Sequence, residues 1–518
     1  MRARSVLAAA LGVLMLAGAC SPSTPDADPT TAPVTRSPAE LAAALTDDEL
    51  VSQVLMLDLD LSGDVASATS TMELYQPGGV ILMGNGTAEQ VRAFTHSVQT
   101  ATAPLGGEQL PALISVDQEY GFVRRVSDIT QLPAAMAFGA ADRPELTRTA
   151  WAGVGAELHA LGVNIDNAPV ADVIGPAGNT VIGSRSFGSD PASVADQVDA
   201  VVRGLHDGGL AATLKHFPGH GNTTVDSHYD LPVLAQSRED LEAVDLAPFR
   251  AGIAAGARVV MTGHLVISSI DPTQPATYSS KVLVDLLRDE LGFTGVVITD
   301  ALNMEAARVG SVGETAVRAI LAGTDMLLMP PSASEARDGL LAALHDGRLT
   351  RQRLEESVAR IIALKRSVAP PSVVDTAGHE SAAAAVAAAA VTVLKGACDG
   401  PLVTGPVRVT TADGRAQAAA WLTEALTEAG ATVVDSGGTR LHLVGYGDKP
   451  EDLAPGAEVT VSMDTPYLLA AADSPVRIAT YSSTRVSMRA LADVLTGRAS
   501  APGRSPVAVP GLPASACS

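Results

Sequence analysis

Eight short runs of Val, Ile and Leu recur between residues 50 and 330, separated by stretches of helical length. Within those stretches apolar residues fall at helical spacing, as over residues 192–206. Strands that alternate with helices imply a parallel sheet, and eight of them predict a closed (β/α)8 TIM-like barrel, with a doubly wound open sheet as the alternative. The eight predicted strands are 51–57, 79–83, 112–116, 163–166, 212–215, 258–262, 296–299 and 326–329.

A second, smaller unit follows the barrel pattern. Ser-Val-Ala-Pro-Pro at residues 367–371 is typical of a linker, and another alternation of strands and helices then runs to the end of the chain. We predict a barrel domain over 39–368 and a C-terminal αβ sandwich over 377–518. Its predicted strands are 391–394, 407–410, 432–434, 441–444, 459–462 and 476–480, with a helix over 416–429. Gly445-Tyr446-Gly447 follows a strand without a third glycine, so we interpret it as a turn and expect no cofactor.

The first 38 residues are typical of an export signal and a spacer. Arg2 and Arg4 precede an apolar run over 6–16 and three small residues, which predicts a signal peptide over 1–19. Cys20 directly follows, and this arrangement resembles the lipobox of bacterial lipoproteins, in which the cysteine is acylated. Residues 20–38 are rich in Ser, Thr and Pro, which predicts an extended spacer. We therefore expect a protein anchored on the outer face of a bacterial cytoplasmic membrane, or a secreted one if Cys20 is not acylated.

The amino-acid composition excludes several classes of function. With 35 Lys+Arg against 57 Asp+Glu, the net charge is −22, which argues against nucleic acid as a partner. Three cysteines cannot form a four-thiolate zinc site. A content of 47% apolar and 18% charged residues is globular, so a large acidic enzyme is the default, and no obligate protein partner is evident.

Polar residues follow several of the predicted barrel strands. Barrel enzymes assemble their sites at the carboxyl ends of the strands, so these residues are candidates for an active site. They are Asp117, Glu119, Asp166, Asn167, Lys215, His216, His264, Asp300 and Asn303.

The densest group of chemically active residues is the loop KHFPGHGNTTVDSH at 215–228, which holds three of the ten histidines. His216 and His220 lie four residues apart, a spacing that shares a metal only on a helix. Pro218 and the flanking glycines argue against a helix, so we predict no metal site. Asp226 lies two residues from His228, where a carboxylate can orient an imidazole and raise its pKa for proton transfer.

Asp300 supplies the complementary chemistry. It ends the apolar run 295–299, so its carboxylate is expected to project into the mouth of the barrel. Hydrolysis of a glycoside with retention needs an acid at the leaving oxygen and a carboxylate nucleophile at the anomeric carbon. Asp300 and the pair of Asp226 and His228 match these two requirements.

The loop KHFPGHG followed by Asp-Ser-His resembles the signature loop of glycoside hydrolase family 3, in its bacterial β-N-acetylglucosaminidase branch. The resemblance implies a barrel enzyme with Asp300 as nucleophile and His228, paired with Asp226, as acid/base. It further implies that charged groups hold the hydroxyls of the terminal sugar, namely Asp117, Arg125, Arg185, Lys215 and His216. Similar segments also include Asp117-Gln118-Glu119, residues 162–166, 168–172 and 185–188, and residues 322–330.

Two positions depart from the family pattern. Tyr120-Gly121-Phe122 stands where the family usually has Gly-Gly-Arg, and Asn222 stands where an aspartate is common. Neither change removes a catalytic group, but both could alter the preference for the leaving group. Because the loop carries its own acid/base, the second domain is expected to be architectural.

The resemblance implies an exo-β-N-acetylglucosaminidase that removes terminal N-acetylglucosamine from cell-wall (peptidoglycan) fragments or related glycans. A phosphorylase or a β-glucosidase on the same scaffold stays open, and a non-catalytic sugar-binding lipoprotein is a remote alternative. Export also places Cys398 and Cys517 in an oxidising compartment, so we expect them to pair, with two free thiols as the alternative.

Overall fold

The computed structural model describes residues 36–175, 181–368 and 378–517, except 224, 226 and 228. The predicted signal peptide, Cys20, most of the spacer and most of the linker lie outside the described residues. The domain boundaries at 368 and 377 therefore stay predictions. All elements described below belong to one unit, Pro38–Ser518.

Eight parallel strands form the barrel, as predicted. Their order around the sheet is β7-β6-β5-β4-β3-β2-β1-β8, and β8 pairs with β1. Ile298 at the end of β7 bridges Met326, next to β8, so the sheet closes on itself. The strands are β1 (Leu55–Asp60), β2 (Gly79–Met83), β3 (Leu113–Val116), β4 (Ile165–Asp166), β5 (Ala211–Phe217), β6 (Val259–Thr262), β7 (Val296–Ile298) and β8 (Leu327–Leu328).

The first strand begins later than predicted. Residues 51–53 belong to the helix Asp47–Gln53, because Thr46 and Glu49 form a capping box that starts a helix there. Val51 is buried in that helix, and the apolar run continues from it directly into β1. The predicted start of the strand at residue 51 is therefore wrong. The prediction of a strand is correct from Leu55 onwards.

Helices surround the barrel strands. Pro191–Asp207 shows why they form: Asp190 caps the helix by accepting from the backbone N–H of Ser193, and Val194, Val198, Val201 and Leu205 form its buried face. The other helices before the linker are Pro38–Ala43, Ala66–Tyr75, Ala88–Ala101, Ala135–Ala141, Pro144–Ala160, Arg238–Asp240, Leu246–Ala254, Val312–Ala322, Ala333–His345 and Arg351–Ser367. Three short segments are 3-10 helices, Gly183–Arg185, Ala276–Tyr278 and Glu305–Ala307, and two are π-helices, Leu241–Asp245 and Lys281–Glu290. A separate three-stranded sheet joins Val233–Leu234, Val266–Ile267 and Asp271–Pro275.

The second domain is an αβ sandwich built on a five-stranded sheet. Its order is β9-β13-β12-β11-β10, with β9 antiparallel to β13 and the other pairs parallel. The strands are β9 (Thr392–Lys395), β10 (Val407–Thr411), β11 (Thr439–Val444), β12 (Val459–Ser462) and β13 (Val476–Ala479). The helices are His379–Ala390, Ala416–Glu428 and Arg485–Leu495, with short turns at Pro450–Asp452 and Pro466–Ala470.

One predicted strand of this domain is wrong. Residues 432–434 make a single bridge, from Val433 to Val407. Gly437 and Gly438 have φ values of 72° and 68°, so the chain turns sharply here before entering β11. The segment is therefore too short to extend the sheet.

Cys398 and Cys517 form a disulfide with their Cα atoms 5.1 Å apart, across a sequence separation of 119 residues. The pairing confirms the expected bridge between the beginning and the end of the second domain. None of the helices within the described ranges has the length and apolarity needed to cross a membrane.

The two domains share an apolar contact. Met136 and Ile174 of the barrel domain pack in one cluster with Leu394, Leu469 and Tyr481 of the second domain. The second domain is therefore packed against the barrel loops that follow β3 and β4.

Candidate active site

The carboxyl ends of the barrel strands bring the predicted sugar-binding residues together. Asp117 follows β3, Lys215 and His216 lie in β5, Arg185 ends the turn Gly183–Arg185, and Asp300 follows β7. Parallel strands place all their carboxyl ends on one face of the barrel, so residues far apart in sequence become neighbours.

Glu119 is the central anion of this group. Arg185 donates to it from Nε to Oε2 at 2.6 Å and from Nη2 to Oε1 at 2.9 Å, and Lys215 forms a very short ion pair with Oε1. Burial alone would raise the pKa of Glu119, but the charges and hydrogen bonds of Arg185 and Lys215 hold it well below its usual range. Glu119 therefore stays ionised and fixes both cations.

The resemblance did not assign a role to Glu119, although its position after β3 had marked it as a polar residue at a strand end. The sequence does indicate that Glu119 could join Asp117 in the site. The two residues are two positions apart, and side chains with that spacing in an extended segment point to the same side. What the sequence could not show was the partner, since Arg185 lies 66 residues away.

Asp117 forms the outer part of the same charge cluster. Lys215 Nζ lies 3.2 Å from Asp117 Oδ1, and Arg125 Nη2 lies 3.5 Å from Oδ2. The carboxylate is 16% exposed, whereas Lys215 is 3% exposed. Asp117 and Arg125, which is 23% exposed, are thus the part of the cluster that is more open to a ligand.

His216 is held by a second residue that the prediction did not include, Asp172. Its Oδ2 lies 2.8 Å from His216 Nδ1, and its Oδ1 accepts from the backbone N–H groups of His216 and His220 at 3.2 and 2.7 Å. A carboxylate on Nδ1 fixes the tautomer and leaves Nε2 for other contacts. Nε2 lies 3.4 Å from Arg185 Nη2.

Asp300 lies at the end of β7, where its carboxylate accepts from the backbone N–H of Ala301 at 2.7 Å. Burial alone would raise the pKa of Asp300, but His216, His264, the Ala301 N–H and Lys215 together lower it. The position provides a carboxylate that is ionised at neutral pH, as a nucleophile requires.

His264 lies beside Asp300. Its Nδ1 is 2.8 Å from the Thr277 hydroxyl and its Nε2 is 3.2 Å from the Ala301 carbonyl oxygen. Burial lowers the pKa of His264 despite the nearby Asp300. Nε2 of His264 donates to the Ala301 carbonyl oxygen and so fixes the backbone that presents Asp300.

The predicted acid/base pair, Asp226 and His228, lies outside the described residues. Ser227, between them in sequence, is described and buried, and its hydroxyl lies 3.1 Å from His220 Nε2. No cluster of three or more potential His, Cys, Asp or Glu metal ligands occurs in the part of the chain that the structure describes.

Comparisons with known proteins identify the family of the barrel domain. The profile of the Glycosyl hydrolase family 3 N terminal domain matches residues 46–364. A beta-hexosaminidase of Nitrosomonas eutropha is 37% identical over 320 residues, which cover 58% of this chain and 90% of that protein. Beta-hexosaminidase LpqI of Mycobacterium tuberculosis is 34% identical over 360 residues, which cover 67% of this chain and 89% of that protein.

A solved structure resembles both domains. The glycoside hydrolase family 3 β-N-acetylglucosaminidase of Paenibacillus sp. str. FPU-7 has a TM-score of 0.81 and 32% identity, covering 90% of this chain and 99% of that one. The profile match over more than half of the sequence, together with the closed barrel, shows that the chain belongs to glycoside hydrolase family 3 and is a glycoside hydrolase.

Proposed function

We propose that this enzyme is a retaining exo-β-N-acetylglucosaminidase, which removes terminal β-linked N-acetylglucosamine. The observation that carries the proposal is Asp300, a carboxylate at the end of β7 whose pKa is lowered by the surrounding cationic and N–H groups. The relatives named as beta-hexosaminidases and the structure of a β-N-acetylglucosaminidase support the choice of sugar.

The first half of the reaction forms a covalent intermediate. Asp300 attacks the anomeric carbon as the bond to the glycosidic oxygen breaks, and His228 donates a proton to that oxygen. Asp226 would accept the other N–H of the imidazole and stabilise its charged form. The aglycone leaves as an alcohol, and the sugar is esterified to Asp300.

The second half reverses these roles. His228, now neutral, takes a proton from water as the oxygen attacks the anomeric carbon and the bond to Asp300 breaks. Two displacements give net retention, and Asp300 and His228 return to their starting states. Throughout both steps Arg185, Lys215 and Asp117 would hold the hydroxyls of the sugar by charge-assisted hydrogen bonds.

A panel of aryl β-glycosides tests the function. We expect the N-acetylglucosaminide to be cleaved with a kcat/KM well above those of the glucoside and xyloside, and with water as the acceptor when phosphate is present. A preference for the glucoside would identify a β-glucosidase. Formation of a sugar 1-phosphate, with turnover that depends on phosphate, would identify a phosphorylase.

We also propose that the enzyme is exported and lipid-anchored through Cys20, and acts on cell-wall fragments. The disulfide between Cys398 and Cys517 supports export, since such bonds persist in oxidising compartments. Labelling with a fatty-acid analogue should mark the wild type and leave Cys20→Ala unlabelled. Equal labelling of both proteins would contradict the anchor.

A further inference from the structure

The second domain holds the segment that carries Arg185. Ser184, the residue before Arg185, donates a very short hydrogen bond from its hydroxyl to Oδ1 of Asp464, which follows β12 in the second domain. Ser184 is buried and Asp464 is half-buried, and burial raises the pKa of the Asp464 carboxyl. The contact is therefore partly shielded from water, and a hydrogen bond in such a place is stronger than one at the fully exposed surface.

A second contact lies on the other side of Arg185. The carbonyl oxygen of Pro506 accepts from the backbone N–H of Ser189 at 3.0 Å and from its hydroxyl at 3.1 Å. A Cβ on Gly188 would lie 2.7 Å from the same oxygen, so the two backbones are in close contact. Residues 184–189 are thus attached to the second domain at both ends.

Between these attachments, the segment reaches the sugar-binding cluster. Arg185 makes its two-point ion pair with Glu119, and the Ser186 hydroxyl donates to the carbonyl oxygen of Asp172 at 2.6 Å. Asp172 is the residue that holds His216. A shift of Ser184 would therefore move the guanidinium of Arg185 relative to Glu119.

We propose that Asp464 is a positioning residue of the active site, which acts through Ser184 to set the place of Arg185 for the terminal sugar. The inference rests on the proposed function. It gives the second domain a role in sugar binding while leaving every sugar-contacting group on the barrel. The second domain would thus still be architectural, as expected, because it would position a barrel residue without contacting the sugar.

The proposal predicts which kinetic constant changes. Arg185 would contact the sugar before and during the reaction, so its displacement weakens both states alike and raises KM with little change in kcat. The same loss should appear in the inhibition constant of free N-acetylglucosamine, which has no aglycone. A general loosening of the fold would not produce matched factors in these two constants.

The test compares four variants under conditions where all are folded, as checked by thermal unfolding. Asp464→Ala and Ser184→Ala should each raise both constants by about tenfold, the effect of losing one strong hydrogen bond. Asp464→Asn keeps an oxygen that accepts from Ser184, so both constants should stay within about twofold of wild type. Glu458→Gln is the matched control, because Glu458 is an exposed carboxylate of the second domain that accepts a hydrogen bond from the backbone N–H of Arg440 in the same domain.

The outcomes separate this inference from the proposed function. A wild type that neither cleaves the N-acetylglucosaminide nor binds N-acetylglucosamine would overturn the proposed function. If the wild type does both, unchanged constants in Asp464→Ala and Ser184→Ala would overturn the positioning role alone. Equal losses in Asp464→Asn and Asp464→Ala would also contradict it, because the acceptor oxygen would then not matter.

Discussion

Arg185 and Glu119 face each other in a two-point ion pair, with Nε 2.6 Å from Oε2 and Nη2 2.9 Å from Oε1. Glu119 follows β3, whereas Arg185 lies on the turn between β4 and the helix Pro191–Asp207. The pair therefore fixes a loop residue against the rigid barrel. Its fork geometry sets the orientation of the guanidinium as well as its position.

This pairing predicts a large effect of Glu119→Gln. An amide cannot neutralise Arg185 and Lys215, so the half-buried guanidinium and the buried ammonium group lose their common partner. We expect kcat/KM to fall by roughly 10²-fold as the sugar-binding groups shift. The free energy of unfolding should fall by about 3–5 kcal/mol, as for other buried pairs that lose one member. Enzyme kinetics and urea unfolding measure the two effects.

Glu89→Gln provides the control for that experiment, because Glu89 is an exposed carboxylate in the first turn of the helix Ala88–Ala101. It should leave kcat/KM unchanged and lower the unfolding free energy by no more than about 1 kcal/mol, the contribution of a charge in the first turn of a helix. A Glu119→Gln variant that resembles this control would show that the ion pair does not organise the site.

The departure at Asn222 predicts a pH-dependent change in stability. Asn222 Nδ2 donates to both carboxylate oxygens of Asp245, at 3.0 and 3.2 Å, and burial raises the pKa of Asp245 to about 6. A raised pKa means that the folded state favours the protonated acid. The resulting contribution to stability is full below the ordinary value of 3.8 and is lost as the pH rises through about 6.

Asn222→Asp would place a second carboxylate against Asp245 and raise the shared proton affinity further. We expect the unfolding free energy to fall by about 1–3 kcal/mol at pH 7, with a smaller loss at pH 5. Urea unfolding at the two pH values tests this, and Asn222→Ala removes the hydrogen bonds without adding charge. Equal losses at both pH values in Asn222→Asp would refute the explanation.

The lowered pKa of Asp300 predicts the pH below which activity falls. Its pKa in the folded enzyme is lowered, so the ionised form is favoured; the stability gained is present above 3.8 and lost as the pH falls through the folded value. The pH profile of kcat/KM reports the free enzyme. Protonation of the nucleophile should therefore reduce kcat/KM only below about pH 4. A nucleophile that titrates near neutral pH would conflict with the surroundings of Asp300.

The disulfide predicts a stability effect without a kinetic one. Replacing both Cys398 and Cys517 with serine frees a loop of more than a hundred residues, which lowers the unfolding free energy by up to about 4 kcal/mol in the chain-entropy model. Turnover should stay within a few-fold, because both cysteines belong to the second domain, where Cys517 packs against that domain's apolar cluster. Two free thiols in the unreduced wild type would contradict the bridge.

The barrel could be predicted because buried parallel strands are continuous apolar runs, and the residues of β7, Val296–Ile298, are all apolar and buried. The error at Val51 arose where a capped helix passes directly into a strand, so apolarity alone gave no boundary. The run at 432–434 has the composition of a strand, but strand formation also requires a partner along its length.

Sequence reasoning marked several polar residues at the strand ends but not the pairs that they form. Asp117 follows β3, and Lys215 and His216 lie near the end of β5, at the start of the loop that resembles a known family. Asp172 and Glu119 act by pairing with residues 44 and 66 positions away. Such pairs depend on the three-dimensional arrangement of loops, which no local pattern encodes.

The central claim is that Asp300 forms a glycosyl ester whose formation and hydrolysis His228 assists. A nitrophenolate leaves without much protonation, so His228→Ala should still glycosylate Asp300 from an aryl β-N-acetylglucosaminide and then stall. General acid–base catalysis contributes about 10²–10⁴-fold, so natural substrates should lose activity by that order. Asp300→Ala should be inactive on every substrate.

The most direct measurement is mass spectrometry of His228→Ala after brief exposure to the aryl β-N-acetylglucosaminide. Our account predicts a peptide carrying one N-acetylglucosamine on Asp300, which azide discharges as the β-azide with restored turnover. Absence of the adduct, an adduct on another residue, or equal losses on aryl and natural substrates without azide rescue would contradict it.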